Sequence, residues 1–307
     1  MTYVGRSLPS VDQTQSLLDT TFEHYENIEI RHDEQDRIFW CFLNPSGRPS
    51  FTLPLLDDLH RVQADIRRLA SPSTISQPPV GWVVLASRSP GIFSLGGDLT
   101  VFAALIQSGD REGLRDYAYS CVDVAYCNST GYGNGAISIG LAQGEALGGG
   151  FESLLSCDVL VAERRARFGL PEVLMNLFPG MGAHCFLTRR LGAGRAMNMI
   201  LSGEVFTAEA MHDLGIVDVL AENGEGEEAV RKYVHRNQSR YKSHSAAYEA
   251  NRRVSPVSLN TLRNVCDVWV DAAMSLSPTE LRRMTLLIAA QDKRRRRTGE
   301  VPALAAE

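Results

Sequence analysis

The chain has 307 residues and 44% of them are hydrophobic, enough to bury a full core in one large domain with a helical extension or in two domains. A net charge of −5 argues against a nucleic-acid partner, whose phosphates call for a basic surface. No apolar run approaches the roughly 18 residues of a membrane span, the N-terminus lacks a signal-peptide pattern, and six scattered cysteines without a CxxC pair fit a reduced, cytoplasmic protein.

Residues 1–25 are mostly polar and read as an N-terminal extension over the surface. Ile28 to His32 and Arg37 to Leu43, separated by the polar Asp33-Glu-Gln-Asp36, predict a β-hairpin. Leu55, Leu59, Val62, Ile66 and Leu69 recur at steps of three and four, which predicts one apolar helix face. A proline-rich loop from Ser71 to Pro79 feeds the apolar strand Val80 to Ala86, followed by the turns Pro90-Gly91 and Gly96-Gly97-Asp98 and a helical pattern from Val101. The same order of strand, glycine turn and helix returns from Ala136 onward, predicting an α/β fold of stacked ββα units, here 26–205. Beyond Gly203 the β signal fades, and 206–307 reads as a helical C-terminal region. Thr207 and the box Ser277-Pro-Thr-Glu280 predict helix starts. Leu262, Val265, Trp269, Ala272 and Leu276, then Leu281, Met284 and Ile288, predict apolar stripes.

The most informative stretch is Gly144-Glu-Ala-Leu-Gly-Gly-Gly-Phe-Glu-Ser153. An alternating apolar run ends in three glycines, Gly148 to Gly150, and a helix opens at once. Glycines there let a ligand approach the backbone, and the free N–H groups of the helix start favour developing negative charge. A phosphate loop has the same outline, but no Lys-Ser, Lys-Thr or GxGxxG spacing accompanies it, and Glu152 would repel a phosphate. A carboxylate beside an oxyanion-holding turn instead suits acid or base work at a polarised carbonyl. The seven histidines show no HxxxH or HExxH spacing, so no metal site is expected, and Cys157 and Cys185 read as packing residues.

With Ile92-Phe-Ser-Leu-Gly-Gly-Asp-Leu99 upstream and Phe168-Gly-Leu-Pro-Glu172 downstream, this stretch resembles the crotonase (enoyl-CoA hydratase/isomerase) superfamily over most of the chain. Thr130 to Ile139, Tyr119-Ser-Cys-Val-Asp123 and Asn176-Leu-Phe-Pro-Gly-Met-Gly182 more closely resemble the diffusible-signal-factor synthases, which make cis-2-unsaturated fatty acid signals. The resemblance implies catalytic roles for Glu152 and Glu172 and an oxyanion hole built from the backbone N–H groups of Gly97 and Gly149. It also implies substrate contacts at Leu147, Gly148, Met175, Trp269, Met284 and Leu287. It implies no cofactor: the substrate would arrive as a thioester of an acyl carrier protein or of coenzyme A.

By the same resemblance, a medium-chain 3-hydroxyacyl thioester would lose its α-proton to Glu172 and its hydroxyl, protonated by Glu152, as water. Glu152 would then direct water onto the thioester to release the free acid. The implied partners are an acyl carrier protein and further copies of the chain in a trimer or dimer of trimers; the charge run Lys293 to Arg297 reads either as a solvated helix end or as a docking site for an acidic carrier protein. The alternatives are an ordinary enoyl-CoA hydratase or isomerase, and a non-catalytic partner of a sensor histidine kinase.

Overall fold

The computed structural model describes residues 25–69 and 79–299. The expected N-terminal extension, save Tyr25, and residues 71–78 of the expected loop lie outside them, as do the side chains of Lys293 to Arg297.

The hairpin forms as expected, β1 (Ile28–Asp33) pairing antiparallel with β2 (Ile38–Leu43). In α1 (Leu53–Leu69), Leu55, Leu59, Val62 and Ile66 are buried on one face. Three ββα units follow. The first comprises β3 (Trp82–Ser87), β4 (Ile92–Ser94), α2 (Leu99–Ser108) and α3 (Arg111–Ser129). The second comprises β5 (Ile137–Ala142), β6 (Glu145–Leu147) and α4 (Gly149–Leu155). The third has β7 (Val159–Glu163), β8 (Arg167–Gly169), a 3-10 turn at Pro171–Met175, α5 (Ala183–Leu191) and α6 (Ala193–Ser202). The rest of the chain supplies β9 (Val205–Thr207), α7 (Ala208–Asp213), β10 (Val219–Ala221), α8 (Gly226–Asn237), α9 (Tyr241–Val254), α10 (Leu259–Met274) and α11 (Pro278–Gly299).

Each unit gives its first strand to one sheet and its second to another. The large sheet runs β1-β2-β3-β5-β7-β10 and the small one β4-β6-β8-β9, parallel except at the β1–β2 and β8–β9 edges. This arrangement explains why β2, β3, β5 and β7 read as continuous apolar runs, since both faces of the large sheet are covered. Phe39, Cys41, Val83 and Leu85 pack toward the site-bearing helices. Their alternates Trp40, Phe42, Trp82 and Val84 pack against Val230 and Val234 of α8 and Tyr241 of α9.

Two expectations are corrected. β-structure does not end at Gly203: β9 pairs with β8, and β10 closes the far edge of the large sheet against β7. Strands of three residues are too short to show a period in sequence. On α10 the buried face is Leu262, Cys266, Trp269, Val270 and Ala273, while Val265 and Ala272 are only half-buried and Leu276 falls beyond the helix end. The helix lies against α3, and what it packs on selects the face.

Helix starts were more legible. The Thr207 side chain accepts the Ala210 N–H at 3.2 Å. At α11 the Ser277 N–H and hydroxyl both donate to Glu280 Oε2 at 2.7 Å, and the Glu280 N–H points back to Ser277 Oγ at 3.4 Å. The other Glu280 oxygen accepts from Asn176 Nδ2 at 2.6 Å, tying α11 to the end of the Pro171–Met175 turn. Replacing Ser277 by Ala should therefore lower stability by about 1 kcal/mol. The check is a lower urea midpoint with unchanged slope.

Candidate active site

Strand β6 delivers the chain to Leu147 and Gly148, and α4 starts at Gly149. Gly148 has φ +52°, which calls for glycine, and a Cβ built there would lie 2.5 Å from Glu172 Oε1 and displace that carboxyl. As the first residue of α4, Gly149 has an N–H with no acceptor in the helix. The loop after β4 lies against it: a Cβ on Gly96 would be 2.7 Å from Gly149 N, and a Cβ on Gly149 would be 3.5 Å from Gly97 N. The two N–H groups expected to form an oxyanion hole thus come from segments in mutual contact.

Glu152, in the first turn of α4, is buried. Its Oε1 accepts the Met181 N–H at 2.8 Å and the Ala183 N–H at 2.9 Å, from the residues that open α5. Burial pushes its carboxyl up to about 7, against the pull of those backbone donors. Glu172 sits in the 3-10 turn, with Pro171 at the first position presetting its backbone. Its Oε2 is out of solvent and has no hydrogen-bond partner. Burial first, and then the negative charge of Glu152, push its carboxyl up to about 8. Both carboxyls are thus raised, and their surroundings differ: Glu152 Oε1 receives two backbone N–H groups and Glu172 Oε2 none, so a negative charge is better supported on Glu152.

Two adjoining cavities share Gly97, Phe102, Glu172 and Trp269. The larger, about 260 Å³, is mainly apolar and is lined by Leu147, Gly148, Met175 and Leu287 among the expected contacts. The smaller, about 60 Å³, reaches Gly149 and Glu152. All the expected site residues except Met284 line one cavity or the other. Met284 is fully buried in the core and faces neither. Site-lining residues that no quoted motif contained include Phe102, which lines both cavities, and Tyr117 in the smaller. Tyr117 comes from α3, whose length carried no site motif apart from Tyr119 to Asp123. Cys157 and Cys185 line neither cavity. Among the described residues, no three His, Cys, Asp or Glu side chains converge as metal ligands, and no helix is long and apolar enough to cross a membrane.

The profile of the enoyl-CoA hydratase/isomerase family matches residues 50–266, which hold both glutamates and both glycine turns. The chain belongs to this family. The methylglutaconyl-CoA hydratase of Rattus norvegicus is 32% identical over 211 residues, which are 67% of this chain and 62% of that protein. A peroxisomal fatty acid beta-oxidation multifunctional protein of Arabidopsis thaliana is 32% identical over 143 residues, 47% of this chain and 19% of its own length. The chain therefore spans less than two thirds of the length of these curated relatives. Among solved structures, an enoyl-CoA hydratase from Bacillus halodurans matches with a TM-score of 0.69 at 21% identity, covering 84% of this chain and 98% of that one. Pseudomonas aeruginosa DspI matches with a TM-score of 0.60 at 23% identity, covering 88% and 98%. These structures establish the fold, the ββα core with a helical C-terminal region characteristic of enoyl-CoA hydratases.

For this family member the raised carboxyls have a stability consequence. Below about pH 4.5 both groups are neutral whether the chain is folded or not. Between there and about pH 8 the unfolded chain ionises while the folded chain holds protons, so this contribution to stability falls as pH rises. Glu172→Gln removes the titration and the repulsion together. It should be more stable than the native chain at pH 8 by roughly 1–3 kcal/mol, with the gap closing toward pH 5. Denaturant titrations across that range check it, and a gap independent of pH would contradict the raised carboxyl.

Proposed function

We propose that the chain interconverts 3-hydroxyacyl and 2-enoyl thioesters at Glu152 and Glu172. More specifically, it dehydrates a medium-chain 3-hydroxyacyl-[acyl carrier protein] to the cis-2-enoyl thioester and hydrolyses it to a free cis-2-unsaturated fatty acid, a diffusible signal of the quorum-sensing kind. The observation that carries the first part is the pair of unequal buried carboxyls lining one cavity, beside the touching N–H-bearing turns of Gly97 and Gly149. A thioester carbonyl between those donors has its enolate charge stabilised where it forms, which acidifies the α-proton. In dehydration ionised Glu172 takes that proton, the C–O bond breaks, and the proton on Glu152 leaves with the hydroxyl as water. Glu152, now ionised, orients a second water toward the thioester carbonyl; the acid is released and the carrier thiol departs with a proton.

The signal-synthase reading is supported by the sequence of Asn176 to Gly182, the segment that donates the Met181 N–H to Glu152. The second quoted stretch, Thr130 to Ile139, lies away from both cavities; its Asn134 holds the Ile66 carbonyl of α1 and its Gly135 carbonyl accepts from Ser245 of α9. The alternative of ordinary hydration on acyl-CoA has its own support: Glu152 ionised and Glu172 protonated is the arrangement that adds water and then protonates the α-carbon.

The reading includes a homo-oligomer and an acidic carrier protein. The apolar stripes of α10 and α11 are largely spent on the chain's own core, with Leu262, Trp269 and Met284 buried. Exposed Met197 and Leu201 on α6 and Val205 on β9 are the better-placed apolar groups for a second copy.

Supplying a 3-hydroxyacyl carrier protein and the corresponding acyl-CoA, and identifying products by mass, tests the reading. Release of a cis-2-enoic acid from the carrier substrate supports it, and reversible hydration alone, without free acid, supports the alternative. Glu172→Gln should lower enoyl formation by about two to four orders of magnitude while staying folded. Glu152→Gln should damage both enoyl formation and acid release; unimpaired acid release from a supplied enoyl thioester would remove Glu152 from the second step.

A further inference from the structure

The loop that carries Gly97 is held by a side chain, and the way it is held differs from an ordinary strand pairing. Phe51 and Gly97 form an isolated parallel bridge, with the Phe51 N–H donating to the Gly96 carbonyl at 2.8 Å. A trans peptide points its C=O and N–H in opposite directions. That bond therefore turns the Gly97 N–H away from Phe51, to the side where Gly149 lies. The next rung of a parallel pairing would be the Asp98 N–H donating to the Phe51 carbonyl. Instead the Tyr117 hydroxyl is inserted between them: it accepts the Asp98 N–H at 2.9 Å and donates to the Phe51 carbonyl.

Both hydrogen-bonding roles of the hydroxyl are thereby used. Burial holds Tyr117 protonated, so the donor to Phe51 persists at any ordinary pH. The ring is itself fixed by Phe102, edge-on at a centroid distance of 5.1 Å, and a Cβ on Gly97 would collide with the Phe102 ring. Gly97 is thus bounded on one side by the Phe51 bond, on the next peptide by Tyr117, and underneath by Phe102. Asp98 continues the constraint by capping α2, its Oδ1 accepting the Thr100 N–H at 2.9 Å.

We propose that Tyr117 is a positioning residue for the oxyanion hole, aiming the Gly97 N–H by clamping Asp98 and Phe51 on one hydroxyl. This rests on the reading of Gly97 and Gly149 as the oxyanion donors. Tyr117 acts through the backbone and exchanges no proton with substrate.

The test is Tyr117→Phe, which keeps the ring against Phe102 and deletes only the hydroxyl. Loss of a whole oxyanion donor costs about 10²–10³ in rate; a donor left in place but mis-aimed should cost about 10- to 100-fold in kcat for hydration of a 2-enoyl-CoA, with KM changed less than about threefold. A readout that loss of packing would not move is the absorption of a bound aryl-conjugated enoyl thioester. Polarisation of its carbonyl shifts the band to longer wavelength, and the folded variant should show a smaller shift than the native chain. Equal kcat and equal shift in a folded variant would overturn the proposal. No shift in the native chain would instead overturn the oxyanion-hole reading beneath it. If Tyr117→Phe does not fold, Phe102→Leu, which frees the same ring while keeping the hydroxyl, takes its place. A reduced shift then supports the clamp and an unreduced one contradicts it.

Discussion

Two carboxyl groups withdrawn from water into one cavity, with no Lys or Arg among its lining residues, are the arrangement on which the rest of the site depends. An unpaired buried charge is costly, and two like charges in one enclosure are costlier. The fold resolves this by treating the pair unequally. Glu152 receives the N–H groups at the opening of α5, while Glu172 Oε2 receives nothing. One proton then suffices for the pair near neutrality, and the asymmetry decides which oxygen carries it. Such an enclosure is suited to hold one carboxyl protonated beside one ionised, as acid–base chemistry requires.

The ββα architecture gives this pair its place. Units two and three each end a short strand of the small sheet at a turn bearing a glutamate, and β6 and β8 are adjacent and parallel, with Leu147 opposite Gly169. Residues twenty apart in sequence are thereby brought to one cavity. The first unit contributes the Gly96-Gly97 loop after β4, which pairs with β6 from the other side. Consecutive units thus supply Gly97, then Gly149 with Glu152, and then Glu172. The α11 helix closes the outer side through Leu287, anchored by the Glu280 link to Asn176.

What could be read from sequence was what local chemistry decides. The Ser277 box, the Thr207 cap and the hairpin around Asp33 to Asp36 are specified by residues within a few positions of one another, and each is found where it was expected. Glu152 and Glu172 are singled out by the family resemblance of the motifs around them, and the fold brings both to one cavity. Tyr117 was not, because its role depends on contacts with Phe51 and Asp98, 66 and 19 residues away. The buried face of α10 was misplaced for a related reason: a helix with apolar groups on more than one side shows its buried face only once its neighbour is known. Met284 is a substrate contact only by the family resemblance, which does not report how its side chain packs: it is buried in the core.

The most direct test of the account is to observe the shared proton. Carbon-13 labelling of the glutamate side-chain carboxyls, followed by NMR from pH 5 to pH 9, reports each ionisation separately. The account predicts two carboxyls that ionise well above pH 4.5, close to neutrality or beyond, only one of which remains in Glu172→Gln. Ionisation of every glutamate in the ordinary range near pH 4.5 would contradict it.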